Sequence, residues 1–328
     1  MKGGITMTAE TMVNNLLTEA CTNKISDIYF LPKANSYHLE AQNSIQNYTV
    51  ADLTIDETLA MMNYLKFNSG LDVSERRRSQ KGSFNFIYQN NNIFIRISSV
   101  GDFKNRESMV VRLIYPQELN TPISEDIIEN FLPMAQLKGM MIFAGPMGSG
   151  KTSLMYALGR QLSWNKKVMC IEDPIEIVED NFLQLQVNDD AGMTYEELIK
   201  TSLRHRPEVL IIGEIRDGQT AKQAIQAALC GYTVMTTIHG KSKYSVIQRL
   251  QQFGVDQEEI VNAVNCISYQ RLIPMRNELQ MFVDTINNTE IKNFIQENIT
   301  DNNWQLKLQK FYQTGQIDDK TYQEFAQG

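Results

Sequence analysis

The residues best suited to chemistry begin at Gly145-Pro146-Met147-Gly148-Ser149-Gly150-Lys151-Thr152, which fits G-x-x-x-x-G-K-[ST] at every fixed position. A loop of this kind handles a polyphosphate. Its glycines let backbone N–H groups turn inward onto phosphate oxygens, Lys151 adds a point charge for the β- and γ-phosphates, and the Thr152 hydroxyl suits Mg²⁺. From Ser153 onward a helix N-terminus stands behind the anion. An apolar strand precedes the loop and a helix follows it, which is the context the motif requires. ATP with Mg²⁺ is therefore the expected ligand pair.

Two acidic segments follow. The apolar run Val209-Leu210-Ile211-Ile212 opens onto Gly213-Glu214-Ile215-Arg216-Asp217. A strand that ends in an acidic residue beside a phosphate loop handles Mg²⁺ and its water, and Glu214 takes that position, acting through a water. A further strand end gives Glu172-Asp173-Pro174-Ile175-Glu176. Carboxylates gathered near phosphate repel one another unless a metal or a reacting water uses them. Glu172 or Glu176 could orient or deprotonate the attacking water, and Glu172 is favoured because it lies nearer the strand end. A solvated acidic turn is the plainer alternative. His239 follows the run 233–238 and could donate a hydrogen bond to a γ-phosphate, although on position alone it reads as a structural residue.

Positioning these groups takes alternating strands and helices. Residues 139–144 form a buried-type strand and 153–162 a helix; 167–171 and 209–212 are apolar runs, 195–204 and 220–229 are helical, and 233–238 is rich in β-formers. Such alternation implies a parallel-dominated sheet covered on both faces. Upstream, residues 10–20 have helical spacing, with Met12, Val13, Leu16, Leu17 and Ala20 on one side. A second helix is expected at 55–65. Strands are expected at 27–31, 84–88, 93–97 and 109–115, with Asn90-Asn91-Asn92 as the turn between the middle two. The predicted division is an N-terminal α/β domain over 1–115, a proline-bearing linker over 116–124, a P-loop ATPase domain over 125–276, and a small helical appendage in the polar stretch 277–328.

The chain has 328 residues and 42% apolar content, enough for two domains with sizeable cores. Its net charge of −7 argues against broad capture of nucleic acid, and Arg76-Arg77-Arg78 is its one basic run. The four cysteines, Cys21, Cys170, Cys230 and Cys266, are scattered, which offers neither a disulfide framework nor a Cys-x-x-Cys metal site and suits a reducing cytosol. Cys170 and Cys230 sit in apolar runs and read as core residues. No run approaches the roughly 20 apolar residues of a membrane span, and the first ten residues lack a secretory pattern. A place inside the cell is expected, with docking on a membrane through a partner.

Taken together, these segments resemble the motor ATPases of the type II secretion/type IV pilus superfamily. That family carries four boxes in fixed order: the loop at 145–152, Ile171-Glu172-Asp173-Pro174-Ile175-Glu176, Gly213-Glu214-Ile215-Arg216-Asp217, and a histidine box ending Thr237-Ile238-His239. Leu203-Arg204-His205-Arg206-Pro207-Glu208 and Gln270-Arg271-Leu272 resemble two further family segments. Ahead of the loop, Ser26-Asp27-Ile28-Tyr29, Glu75-Arg76-Arg77, Gln80-Lys81-Gly82-Ser83-Phe84, Arg96-Ile97-Ser98 and Val111-Arg112-Leu113 match as well, so the likeness runs from about residue 25 to 275.

The resemblance implies a PAS-like N-terminal domain joined to a RecA-like ATPase domain, working as a ring homohexamer. It implies that Arg96 and Arg112 reach nucleotide, where an arginine against γ-phosphate charge can be worth several powers of ten in rate, and that His239 senses the γ-phosphate. It also implies a polytopic inner-membrane platform protein as partner, pilin subunits moved indirectly, a cytoplasmic protein on the inner face of the membrane, and no direct nucleic-acid binding. Some positions depart from the family. Tyr29 and Gly240 replace a histidine and a threonine, and Gly231-Tyr232 stands where many members have Gly-His. The four-cysteine zinc insert is absent, so zinc is not expected, and the Ala-Ile-Arg-Asn-Leu-Ile-Arg motif of retraction ATPases is absent too. By elimination the chain is most similar to the ATPase of the Gram-positive competence pilus. A retraction or type II secretion ATPase, a nucleic-acid motor, and a nucleotide-dependent scaffold recruiting competence proteins are the alternatives.

Overall fold

The computed structural model describes residues 8–42, 47–115, 123–188, 191–276 and 279–326. The chain divides into two compact units, Met1–Glu118 and Leu119–Gly328. The expected linker at 116–124 lies for the most part outside the described residues.

In the first unit, helices α1 (Ala9–Thr22) and α2 (Ile55–Asn68) accompany strands β1 (Asp27–Pro32), β2 (Tyr37–Gln42), β3 (Asn47–Leu53), β4 (Gln80–Tyr88), β5 (Asn91–Gly101) and β6 (Glu107–Ile114). The strands form one antiparallel sheet in the order β3-β2-β1-β6-β5-β4. Side chains alternate across a strand. Ile93, Ile95 and Ile97 of β5 and Met109, Val111 and Leu113 of β6 therefore enter one core with Val13 and Leu17 of α1 and Met62 and Leu65 of α2. The intervening residues, Arg96 and Arg112 among them, take the other face.

The second unit contains α3 (Glu125–Ala135), β7 (Gly139–Ala144), α4 (Lys151–Ser163), β8 (Val168–Glu172), β9 (Phe182–Gln186), α5 (Tyr195–His205), β10 (Val209–Glu214), α6 (Gly218–Leu229), β11 (Thr233–Ile238), α7 (Lys243–Gln252), α8 (Gln257–Ala263), β12 (Val264–Pro274), β13 (Leu279–Asn287), α9 (Asn288–Glu297), α10 (Asn303–Gln313) and α11 (Asp319–Phe325). Among the described residues its strands make one sheet in the order β13-β12-β7-β11-β10-β8-β9. Every pairing is parallel except β12 with β13. Both faces are covered. In β7, Met140, Ile142 and Ala144 enter one apolar cluster, and Met141 and Phe143 enter the other.

Two expectations need correction. Residues 279–287 are strand, not helix. Met281, Phe282, Asp284 and Ile286 are all buried, so β13 faces core on both sides as the antiparallel partner of β12. The helices after it are not an appendage in the packing sense, because Ile291, Phe294, Trp304, Leu308 and Phe325 complete the same cluster as β7 and β10. Cys230 is exposed rather than a core residue, since it caps the C-terminus of α6; Cys170 is buried.

Candidate active site

The chain leaves β7 at Ala144 and turns through residues 145–150 into α4. Gly145 has φ 144°, and a Cβ there would lie 2.3 Å from the Gln270 carbonyl oxygen and 2.6 Å from Ser149 Oγ. Gly148 and Gly150 are left-handed at φ 72° and 83°, and Gly150 is the N-cap of α4. The back of the loop rests on β12. Gln270 is fully buried, and its Nε2 donates to the Ser149 carbonyl at 3.3 Å. Pro146 and Met147 are exposed at the crest of the loop, Thr152 is half-buried and Ser153 is buried.

Lys151 Nζ donates to the carbonyl oxygens of Gly145 at 3.0 Å and Pro146 at 2.7 Å. Burial lowers the proton affinity of this ammonium, and the charges of Glu214 and Glu176 oppose that shift. Ser149 Oγ is buried without a hydrogen-bond partner among the described residues. Left-handed glycines, an orphaned hydroxyl, a desolvated ammonium and a helix N-terminus form a donor set that fits a phosphate chain. Among the described residues no group of three or more His, Cys, Asp or Glu is arranged to hold a metal. A Mg²⁺ here would take its ligands from the Thr152 hydroxyl, water and substrate phosphates, the usual habit of that ion.

Parallel pairing brings the other candidates to the same edge of the sheet, where ligands of open α/β sheets bind. In spatial order across β7, β11, β10 and β8, the strand ends present the phosphate loop, His239, Glu214 and Glu172. His239 Nε2 lies 3.3 Å from Glu214 Oε2. The other Glu214 oxygen pairs with Arg216 Nε, and Arg216 Nη1 is 3.8 Å from Asp173 Oδ2. A cleft of about 320 Å³ is lined by Asp173, Tyr195, Glu214, Arg216 and Thr220.

Glu172 is 3% exposed and accepts a 2.8 Å hydrogen bond from the Tyr156 hydroxyl. Burial pushes its carboxyl up to about 7; the Tyr156 bond opposes the rise, the charge of Glu176 adds to it, and the Glu176 N–H opposes it. Glu176 is exposed. The two acidic-box glutamates thus differ in environment, one hidden with high proton affinity and one open to water and electrostatically coupled to Lys151.

Arg96 and Arg112 lie in the first unit. They are direct cross-strand partners on β5 and β6. Arg112 Nε donates to Asp27 Oδ1 at 2.7 Å, and Asp27 is itself buried beside it on β1. Sequence spacing marks neither Tyr156 nor the bridging role of Arg216. A tyrosine on a fully buried helix face does carry a signal, because its hydroxyl needs a partner.

A phosphate loop with carboxylates and a histidine on adjoining strand ends defines a P-loop ATPase. The chain belongs to the type II/IV secretion system protein family, whose model matches residues 6–311. It is 41% identical over 262 residues to competence protein ComGA of Streptococcus pneumoniae, covering 80% of this chain and 84% of that one. It is 34% identical to competence protein ComGA of Bacillus subtilis, covering 81% and 76%. The Legionella pneumophila ATPase DotB has the same fold, with a TM-score of 0.72 at 18% identity over 98% of this chain and 97% of that one. So does the pilus retraction motor PilT with bound ADP, at 0.72 and 20% identity over 95% and 96%. No helix among the described residues is long and apolar enough to cross a membrane.

Proposed function

We propose that this chain is the hexameric motor ATPase that assembles a type IV-like competence pilus for DNA uptake. The observation that carries the reading is the 41% identity to competence protein ComGA across most of both chains. Lys151 and the amides of residues 145–152 hold the β- and γ-phosphates of ATP. Bound Mg²⁺ would neutralise phosphate charge, with Thr152 as its protein ligand and Glu214 reached through water. Glu172 takes the proton of the attacking water, supported by its raised proton affinity, since a base is most effective near the working pH. Glu176, exposed near Lys151, orients that water. His239 reports the γ-phosphate to Glu214. Arg96 and Arg112, on a PAS-like first unit, close on nucleotide charge. Zinc is not required.

The protein would act at the inner face of the cell membrane on a polytopic platform protein, moving pilin subunits indirectly and without binding DNA itself. The test pairs Lys151→Ala with the parent. The variant is expected to lose ATP hydrolysis by more than about a hundredfold, and cells carrying it to lose surface pilin and DNA uptake together. Normal uptake with dead hydrolysis would favour a nucleotide-dependent scaffold. Pili that extend but never shorten would favour a retraction motor, and loss of secreted protein with normal uptake would favour type II secretion. A particle of six subunits by mass measurement is expected with bound nucleotide.

A further inference from the structure

We infer that Tyr156, oriented by Gln184, is a positioning residue for Glu172: its phenol fixes the acidic-box carboxylate by donating to one of its oxygens. The inference rests on the reading of Glu172 as the group that takes the water's proton.

The directions of the hydrogen bonds carry it. The Glu179 N–H donates to Gln184 Oε1 at 2.8 Å, which settles which end of that amide is oxygen. Gln184 Nε2 then donates to the Ile177 carbonyl at 2.7 Å and to the Tyr156 oxygen at 2.8 Å. Gln184 Nε2 can only donate to the phenol oxygen, so the phenol proton goes to the carboxylate at Glu172 Oε2, with the buried Cys170 thiol as the hydroxyl's other neighbour. Tyr156 is fully buried, and its ring lies 5.5 Å from that of Phe182. Gly213 of β10 closes the other side, where a Cβ would come within 3.0 Å of Glu172 Cγ.

The relay also links two parts of the site. Tyr156 is on α4, the helix that begins with Lys151 and Thr152, and Gln184 is on β9 at the edge of the sheet. A shift of α4 as phosphate binds would therefore reach the Glu172 carboxylate through one hydroxyl. The titratable groups around Glu172 are Cys170 on its own strand, Tyr156 of α4, Tyr195 of α5, and Glu176 in the loop after β8.

The experiment measures ATP hydrolysis against pH for the parent, Tyr156→Phe, Gln184→Met and Glu172→Gln, with binding of fluorescent ADP and thermal melting as controls. Tyr156→Phe removes a bond that favours the carboxylate. Its acidic limb should move to higher pH, so that the variant-to-parent ratio of kcat falls about tenfold between pH 9 and pH 6, while KM and ADP binding stay at parental values. Gln184→Met should move the limb the same way by less, and it carries the test if Tyr156→Phe does not fold. An unmoved limb in a folded variant, with Glu172→Gln inactive, overturns the inference alone. Parental hydrolysis in Glu172→Gln overturns the reading of Glu172 and the inference with it.

Discussion

Glu214 and His239 face each other across the parallel strands β10 and β11, with Oε2 and Nε2 3.3 Å apart. The backbone holds the pair in place. The register of the two strands shifts between Ile212 and Glu214, Thr237 Oγ1 donates to the Gly213 carbonyl at 2.8 Å, and the Ile215 N–H donates to the Thr237 carbonyl at 2.9 Å. Glu214 is also held by Arg216, so His239 is the partner that can be removed without freeing the carboxylate. His239→Ala should keep ATP affinity within about threefold and lower hydrolysis about ten- to a hundredfold, the range of one positioned donor. Nucleotide titration and single-turnover phosphate release separate the two quantities. Equal losses in both would place His239 in binding instead.

The glycines of the loop differ in what they tolerate. At Gly145 a methyl group would strike the Gln270 backbone, while at Gly148 nothing lies within 4 Å. Gly148→Ala meets only the left-handed backbone, a cost of about 1–2 kcal/mol. Gly145→Ala must also push β12 away from the loop, so it should abolish nucleotide binding and lower the melting temperature further than Gly148→Ala does. Side-by-side melts and ADP titrations check the order.

The strands beneath the site were legible in the sequence because they are short runs of apolar and β-branched residues. Residues 139–144 and 233–238 are buried along their whole length and have the bounds their composition implies. The loop was legible because its glycines answer a conformational need. β13 was hidden, because Gln280, Asp284 and Asn287 break its apolar pattern, and Asp284 is tolerated inside only because Lys243 reaches it from α7. The Tyr156–Glu172 bond joins residues on α4 and β8, a contact that no local spacing reports. The cross-strand pairing of Arg96 and Arg112 needs the register of β5 and β6.

Glu172 carries a stability consequence with a definite sign. Burial pushes its carboxyl up to about 7 in the folded chain, above the ordinary glutamate value of 4.5. A raised value means that the folded state holds the proton more tightly, so this group's favourable contribution is complete below about pH 4.5 and is lost as pH rises through 7. Glu172→Gln keeps an acceptor for Tyr156 and removes the charge. At pH 8 it should be more stable than the parent by up to about 3 kcal/mol, from about 1.4 kcal/mol per unit of pKa. The gain should vanish by about pH 4.5. Denaturant midpoints of parent and variant across that range provide the check, and a pH-independent difference would contradict it.

Lys243 is a buried charge that the second unit depends on. It is 2% exposed, and its Nζ donates to Asp284 Oδ1 at 2.9 Å and to Asp301 Oδ2 at 2.8 Å. Burial raises the Asp284 carboxyl and the lysine opposes that rise. Lys243→Met would leave a carboxylate buried without its cation, a change worth about 3–5 kcal/mol at neutral pH. The double variant Lys243→Met with Asp284→Asn removes both charges and should recover part of the loss, giving a coupling energy of about 1–3 kcal/mol. The deficit of the single variant should also shrink as pH falls, because protonating Asp284 removes the orphaned charge. Lys243 opens α7 just after His239, and Asp301 precedes α10. Loss of the cluster should therefore loosen the C-terminal helices first. Hydrogen exchange that rises in α9 and α10 of Lys243→Met before it rises in β7 and β11 is the expected pattern, and uniform exchange across the unit would show that the cluster holds no one part in particular.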